Sequence, residues 1–284
     1  GLSNTYDGAR KIIKTADNNF VSIGTVNNNH LGSNNDTIVK TFTSSGAELW
    51  SKNVGDSNMD NGYDIKQTSD NGFIIIGSKS NTNTDTWVAK LDSSGNKLWE
   101  KNFGGTSMDR GHSIVEASTG GYVFTHQGDL GNIEERGAYI VKVDTEGNLA
   151  WSSKVGWCQS DYIHSITETT DGNFVTAGFS YCNEANTDNP LYEDYAIAIK
   201  VDSNGNEMWK KSFVDYHSMF YSVKELNDSS LMFAGYRTST DSSLSDAWLV
   251  KTDVHGNVIS QNNYNKYGSH ESNVSAVEDK IYDF

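Results

Sequence analysis

One proline (Pro190), two cysteines (Cys158 and Cys182) and four arginines (Arg10, Arg110, Arg136 and Arg237) are all that the 284 residues hold of each type. With so little proline, and with no charge block or low-complexity run, nothing reads as a linker between domains, so residues 1–284 are read as one repeat-built domain. No apolar run approaches the roughly twenty residues that cross a bilayer as a helix, and no secretory leader is recognised. Positive charge is short as well: 22 Lys plus Arg stand against 37 Asp plus Glu, a formal net charge of −15. Like charges repel before any contact, which argues against nucleic acid and anionic lipid as partners. Two cysteines decide nothing by number alone. No segment shows helical periodicity.

What the chain does contain is one unit written five times. A glycine stands four residues before a tryptophan at Gly46/Trp50, Gly95/Trp99, Gly147/Trp151 and Gly205/Trp209, and a fifth copy has Gly256 with Ser260 in the tryptophan's place. A period near fifty residues with strand-like contents signals an array of small sheets. In the second copy, Ile65–Ser69 reads as a short strand and Asp70-Asn71-Gly72 as a turn. Phe73–Gly77 (FIIIG) reads as a strand buried on both faces. Trp87–Asp92 follows a polar loop, and the turn 92–96 leads into Lys97–Phe103, with Gly95 expected left-handed in a bulged hairpin. Four antiparallel strands per copy make a sheet that cannot cover its own faces. Packing sheets face to face gives an all-β propeller, with each tryptophan wedged between blades. Blades are expected at about 7–56, 57–105, 106–156, 157–214 and 215–263. The tail 264–284 reads as a partial sixth blade, because 273–284 resembles 111–124 shortened by two. A five-bladed ring with an appended tail is the competing count. Residues 1–7 align with 104–109, so the chain is expected to start just after a preceding strand.

The repeat D-x-W/F-V-x-K-L-D-x-x-G-N-x-x-W-x-K-x-F-G-G-x-x-x-D resembles the bacterial extracellular β-propeller repeats of secreted, surface-anchored and lipoprotein chains. The resemblance covers residues 1–261. It implies an extracellular, cell-surface or periplasmic location and a binding role, and it brings no shared catalytic residues.

Function is sought where the copies differ. An aspartate recurs in the loop leading into each inner strand, at Asp7, Asp60, Asp109 and Asp161, with Ser218 in the fifth copy. Three residues later come Arg10, Tyr63, His112, His164 and Tyr221, expected to circle the mouth of a central channel. Chemical variety at one repeated position over a constant aliphatic scaffold suits a ligand-binding surface. The plainer reading is that the aspartates cap loop amides. Asp109, His112, Asp161 and His164 also form a candidate metal set, since two imidazoles and two carboxylates suit a divalent ion. No cofactor motif is present. The oxygen-rich loops 27–36 and 183–194 offer ligands for a cation such as calcium, against the alternative of ordinary solvated loops. The run 56–62 fails the helix-loop-helix calcium pattern, having Asn61 sixth and Gln67 twelfth.

Blade four departs most. Its long loop 180–194 carries Tyr181, Cys182 and Tyr192, and its lead-in loop carries Trp157 and Cys158. Both loops belong to one face by strand order, so a Cys158–Cys182 disulfide is expected. It would gather Trp157, Tyr162, Phe179, Tyr181 and Tyr192 as a platform for a glycan or another exterior protein. The alternative is that these rings pack the loop onto the blade.

An enzyme is the less favoured reading. No serine sits in a nucleophile elbow, and no glycine loop cradles phosphate. Carboxylates taken from one repeated position do not have the unequal environments of a glycosidase acid pair. The sequence therefore points to a non-catalytic surface or exported binding propeller. The alternatives are a carbohydrate-active hydrolase using the channel-mouth carboxylates and a structural spacer.

Overall fold

The computed structural model describes residues 8–27, 35–56, 59–80, 82–131, 135–181, 194–213, 217–238 and 245–264. All described regular structure is strand. Blade one is β1 (Gly8–Lys14), β2 (Phe20–Asn27), β3 (Asn35–Phe42) and β4 (Glu48–Asn53). Blade two is β5 (Met59–Gln67), β6 (Phe73–Ser80), β7 (Thr84–Leu91) and β8 (Lys97–Phe103). Blade three is β9 (Arg110–Glu116), β10 (Tyr122–Gly128), β11 (Gly137–Val143) and β12 (Leu149–Val155). Blade four is β13 (Tyr162–Glu168), β14 (Phe174–Ser180), β15 (Tyr195–Val201) and β16 (Glu207–Phe213). Blade five is β17 (Ser218–Glu225), β18 (Leu231–Thr238), β19 (Ser245–Thr252) and β20 (Val258–Tyr264). Each is a four-stranded meander in sequence order, a blade of the β-propeller type. The expected partial sixth blade lies outside the described residues.

Packing groups the chain into two compact units, 1–136 with 141–150, and 137–140 with 151–284. In the first, Val21, Ile23, Val39, Ile65, Ile75, Trp87 and Leu91 share one core, all fully buried. In the second, Val175, Ala198, Phe220, Phe233, Trp248 and Val250 do the same. Each fully buried Ile, Val or Phe stabilises the fold by about 1.5–3 kcal/mol, so these seams hold neighbouring sheets together. β6 is buried along seven of its eight residues, the apolar run Phe73–Gly77 and beyond it Ser78 and Lys79.

The turn glycines have two tasks. Gly46, Gly95, Gly147, Gly205 and Gly256 all have φ between 78° and 88°, the left-handed region where a side chain is strained. Four of them also seat the tryptophan of the preceding blade. A Cβ on Gly95 would come 2.6 Å from Trp50, one on Gly147 2.9 Å from Trp99, one on Gly205 2.8 Å from Trp151 and one on Gly256 3.1 Å from Trp209. Trp99 and Trp209 fix the seat further by donating their indole N–H to the carbonyls of Thr145 and Val254 in that turn. The tryptophans are inter-blade wedges.

Strand ends differ from the sequence expectation at polar residues. β5 begins at Met59 and not Ile65, because Asp60, Asn61 and Gly62 pair with Lys79, Ser78 and Gly77 of β6. Polarity there marks a blade end and does not mark a loop.

Candidate functional site

The inner strand of each blade carries one surplus residue. Pairing with the second strand steps from Ala9 to Lys11, from Gly62 to Asp64, from Ile163 to Ser165 and from Phe220 to Ser222. In blade three, His112 and Ser113 together face Thr125, between the pairs Gly111–His126 and Ile114–Phe124. The surplus residues are therefore Arg10, Tyr63, His164 and Tyr221, with His112 in the corresponding bulge. These are the five positions that stand three residues after the recurrent aspartate or serine. A bulge leaves its extra residue out of the ladder and re-aims its side chain.

Close strand approach accompanies the bulge. A Cβ on Gly24, Gly77, Gly178 or Gly235 would fall on the inner-strand carbonyl oxygen of Gly8, Asn61, Tyr162 or Met219. Only glycine admits that contact. Blade three has His126 at this place, opposite Gly111.

Within each unit the bulge residues touch. The Arg10 guanidinium lies 5.7 Å from the Tyr63 ring centroid, and Tyr63 stacks on His112 at 5.7 Å with planes 24° apart. In the second unit the rings form a chain. Tyr162 stacks on Phe179 at 4.7 Å, Phe179 on His164 at 5.6 Å, and His164 meets Tyr221 at 5.4 Å. Tyr236 extends the chain beyond Tyr221 at 6.0 Å. Burial lowers the affinity of the His164 imidazole for a proton, so it stacks as a neutral ring. Tyr221 remains 53% exposed, so the series meets solvent at that ring.

The recurrent aspartates face their own loops. Asp60, Asp109 and Asp161 are fully buried. Asp60 accepts from the Asp56 amide, and Asp109 from the amides of Gly105 and Asp129. Asp161 accepts from the amides of Trp157 and Cys158 and from the Ser180 hydroxyl. Ser218 does similar work in blade five, accepting from the Ala196 amide and donating to the Phe213 carbonyl. Burial raises the pKa of Asp60 and of Asp109 to about 6 and pushes Asp161 upward as well. These groups organise the lead-in loops, as the plainer sequence reading had it. Asp7 lies outside the described residues.

The metal set does not assemble among the described residues. No group of three or more His, Cys, Asp or Glu converges there. The physical reason is that Asp109 and Asp161 direct their oxygens at loop amides, while His112 and His164 are stacked in ring ladders. The candidate calcium loops 27–36 and 183–194 fall largely outside the described residues.

Blade four holds part of its expected cluster. Tyr162 joins the ring chain, and Tyr181 is exposed. Trp157 has the Lys210 ammonium 5.3 Å from its ring centroid. Cys158 lies in the lead-in loop, its Sγ 2.9 Å from Asp161 Oδ1. Tyr192 and Cys182 lie outside the described residues, and with them the expected disulfide.

His126 was not singled out from the sequence. It is buried, and burial lowers its pKa to about 4. Nε2 lies 3.3 Å from the Asp129 carbonyl, which can only accept, so Nε2 carries the proton and Nδ1 accepts from Thr86 Oγ1 at 2.9 Å. The imidazole thereby ties blade three to β7. The signal that could have found it is the break in the glycine column 24, 77, 178, 235.

No protein-family model matches this chain, and no curated protein does. A protein of unknown function from Dyadobacter fermentans shares the fold, with a TM-score of 0.61 at 9% identity over 93% of this chain and 84% of that one. A GH43 β-1,3-galactosidase aligns at 12% identity over 89% and 62% of the two chains, with a TM-score of 0.45. A levansucrase from Bacillus subtilis aligns at 9% identity over 90% and 86%, with a TM-score of 0.44. The first likeness concerns fold alone, and the other two fall below the level that carries an argument about function.

Proposed function

We propose that this chain is a non-catalytic binding protein of the cell exterior that engages glycans through its bulge-borne side chains. One observation carries the reading: in each described inner strand the ladder is interrupted by a bulge, and the residue there is Arg, Tyr or His. Arginine, tyrosine and histidine at such places offer flat faces and N–H or O–H donors. That combination stacks on sugar rings and bonds their hydroxyls. Tyr181 and Trp157 in blade four extend the same chemistry. A Cys158–Cys182 disulfide would pin the long loop, in keeping with an exported location. Another exterior protein is the second class of partner that such a surface suits.

A hydrolase using Asp60, Asp109 and Asp161 is the weaker reading. Those carboxylates accept from loop amides and are fully buried, so none is presented to a substrate at the surface.

The test is a glycan array, followed by titration of the best hit. Tyr63→Ala and Tyr221→Ala are each expected to weaken binding at least tenfold while the melting temperature moves by only a few degrees. Equal binding by both variants, or release of reducing ends from the bound glycan, would remove the proposal.

A further inference from the structure

Blade one lacks a lysine that each other blade uses. In blade two Lys90 Nζ lies 2.9 Å from Asp70 Oδ2 and 3.1 Å from the Leu91 carbonyl. In blade four Lys200 Nζ lies 2.7 Å from Asp171, and in blade five Lys251 Nζ lies 2.8 Å from Asp228. In blade three Lys142 Nζ lies 2.8 Å from Thr119 Oγ1. Each ammonium reaches from the third strand to the turn between the first two strands of its own blade. Blade one has Thr41 at that place. The register is the same: Thr41 pairs with Trp50 as Lys90 pairs with Trp99 and Lys200 with Trp209.

The rest of the receptor is intact. Asp17 stands where Asp70 stands, accepting from Thr15 Oγ1 at 2.5 Å as Asp70 accepts from Thr68 Oγ1 at 2.5 Å. Thr15 and Asn19 hold its carboxyl below the usual range, and no cation contributes. Thr41 is only 5% exposed, and its Oγ1 has no hydrogen-bond partner. Between them lies a cavity of about 320 Å³, lined by Thr15, Asp17, Phe20, Thr41, Trp50 and Phe73 among others. The indole of Trp50 is bordered there by Ser93, whose equivalents Thr145 and Val254 accept from Trp99 and Trp209. An anionic acceptor, an unsatisfied buried hydroxyl and an aromatic wall thus surround the volume that a lysine side chain fills elsewhere.

We propose that blade one binds the primary ammonium end of an extended alkyl chain, the group carried by a lysine side chain or an aliphatic diamine. The ammonium makes a charge-assisted bond to Asp17 and donates to Thr41 Oγ1, and the methylene stem lies along Trp50 and Phe20. A buried hydroxyl without a partner is costly, so the ligand gains by supplying one. The site lies at the hairpin end of blade one and is built from residues other than the bulge ladder. Its failure would leave the glycan reading standing, and the reverse holds too.

The experiment titrates the protein with n-butylammonium chloride, using n-butanol as the uncharged control, by calorimetry or amide chemical shifts. Saturable binding of the ammonium with none of the alcohol is expected. Asp17→Asn should weaken it at least tenfold, and Thr41→Lys should abolish it by supplying the group internally while raising the melting temperature. Thr41→Leu, which fills the space without charge, is a second variant that should also lose binding. Nα-acetyl-lysine N-methylamide and cadaverine then separate the sources, the tighter of the two naming the natural one. No saturation by any amine, or undiminished binding by Thr41→Lys, overturns the site.

Discussion

Single side chains set opposing pH responses in this molecule. Asp60 Oδ1 is buried without a hydrogen-bond partner, and burial lifts its pKa from 3.8 to about 6. The folded state therefore holds the proton more tightly than the unfolded chain does. The stability this provides is complete below the unfolded pKa and is lost as pH rises through about 6. Asp60→Asn keeps the acceptor for the Asp56 amide and removes the charge. Its melting temperature should match the wild type near pH 4 and exceed it above about pH 6.5. His126 has the opposite sign. Its pKa falls from 6.5 to about 4, so its contribution is complete above the unfolded value and declines as pH falls toward 4. His126→Gln should flatten that acid limb in the same melting series. Glutamine retains a donor and an acceptor, so loss of the buried bonds to Thr86 and Asp129 is not the whole effect.

At the level of turns and strands, the seat between indole and glycine is the feature to probe. Gly46 and Gly95 have the same backbone conformation, but a Cβ at Gly46 meets open space and one at Gly95 meets Trp50. Gly46→Ala should cost only the left-handed penalty of about 1–2 kcal/mol. Gly95→Ala should cost clearly more, and chemical denaturation of both variants isolates the wedge contribution from the difference. The seat was legible in the sequence because glycine and tryptophan recur at a fixed interval. The inner-strand bulges were legible only as variable positions. A surplus residue has no composition of its own, and the clue lay one strand away in Gly24, Gly77, Gly178 and Gly235. The outer strands hide a second set: Leu49, Leu98, Met208 and Ile259 are skipped by the ladder beside the turn and stand more than half exposed. Read as sequence they look like core. The lysine column 90, 142, 200, 251, broken by Thr41, is equally present in the sequence, but a lysine near a strand end looks like ordinary surface.

For the molecule as a whole, charge governs encounter. A net charge of −15 attracts cationic groups from a distance and repels anionic ones. Association of an amine-bearing ligand should slow several-fold between about 10 mM and about 150 mM salt, where the screening length falls from roughly 30 Å to roughly 8 Å. Stopped-flow measurement reads this directly, and a neutral glycan should show no such dependence. Each of the five copies of the repeat contributes one described four-stranded antiparallel sheet. Asp109 and Asp161 give their oxygens to loop amides, an orientation that no periodicity reveals.

The recurring perch of an indole on its follower's turn makes successive copies interchangeable parts. Any copy that ends in tryptophan presents the same projection, and any copy that turns on glycine presents the same socket. Whole units can thus be gained or dropped during descent without refitting the junction, while a lone substitution at either half of the pair cannot be absorbed so easily.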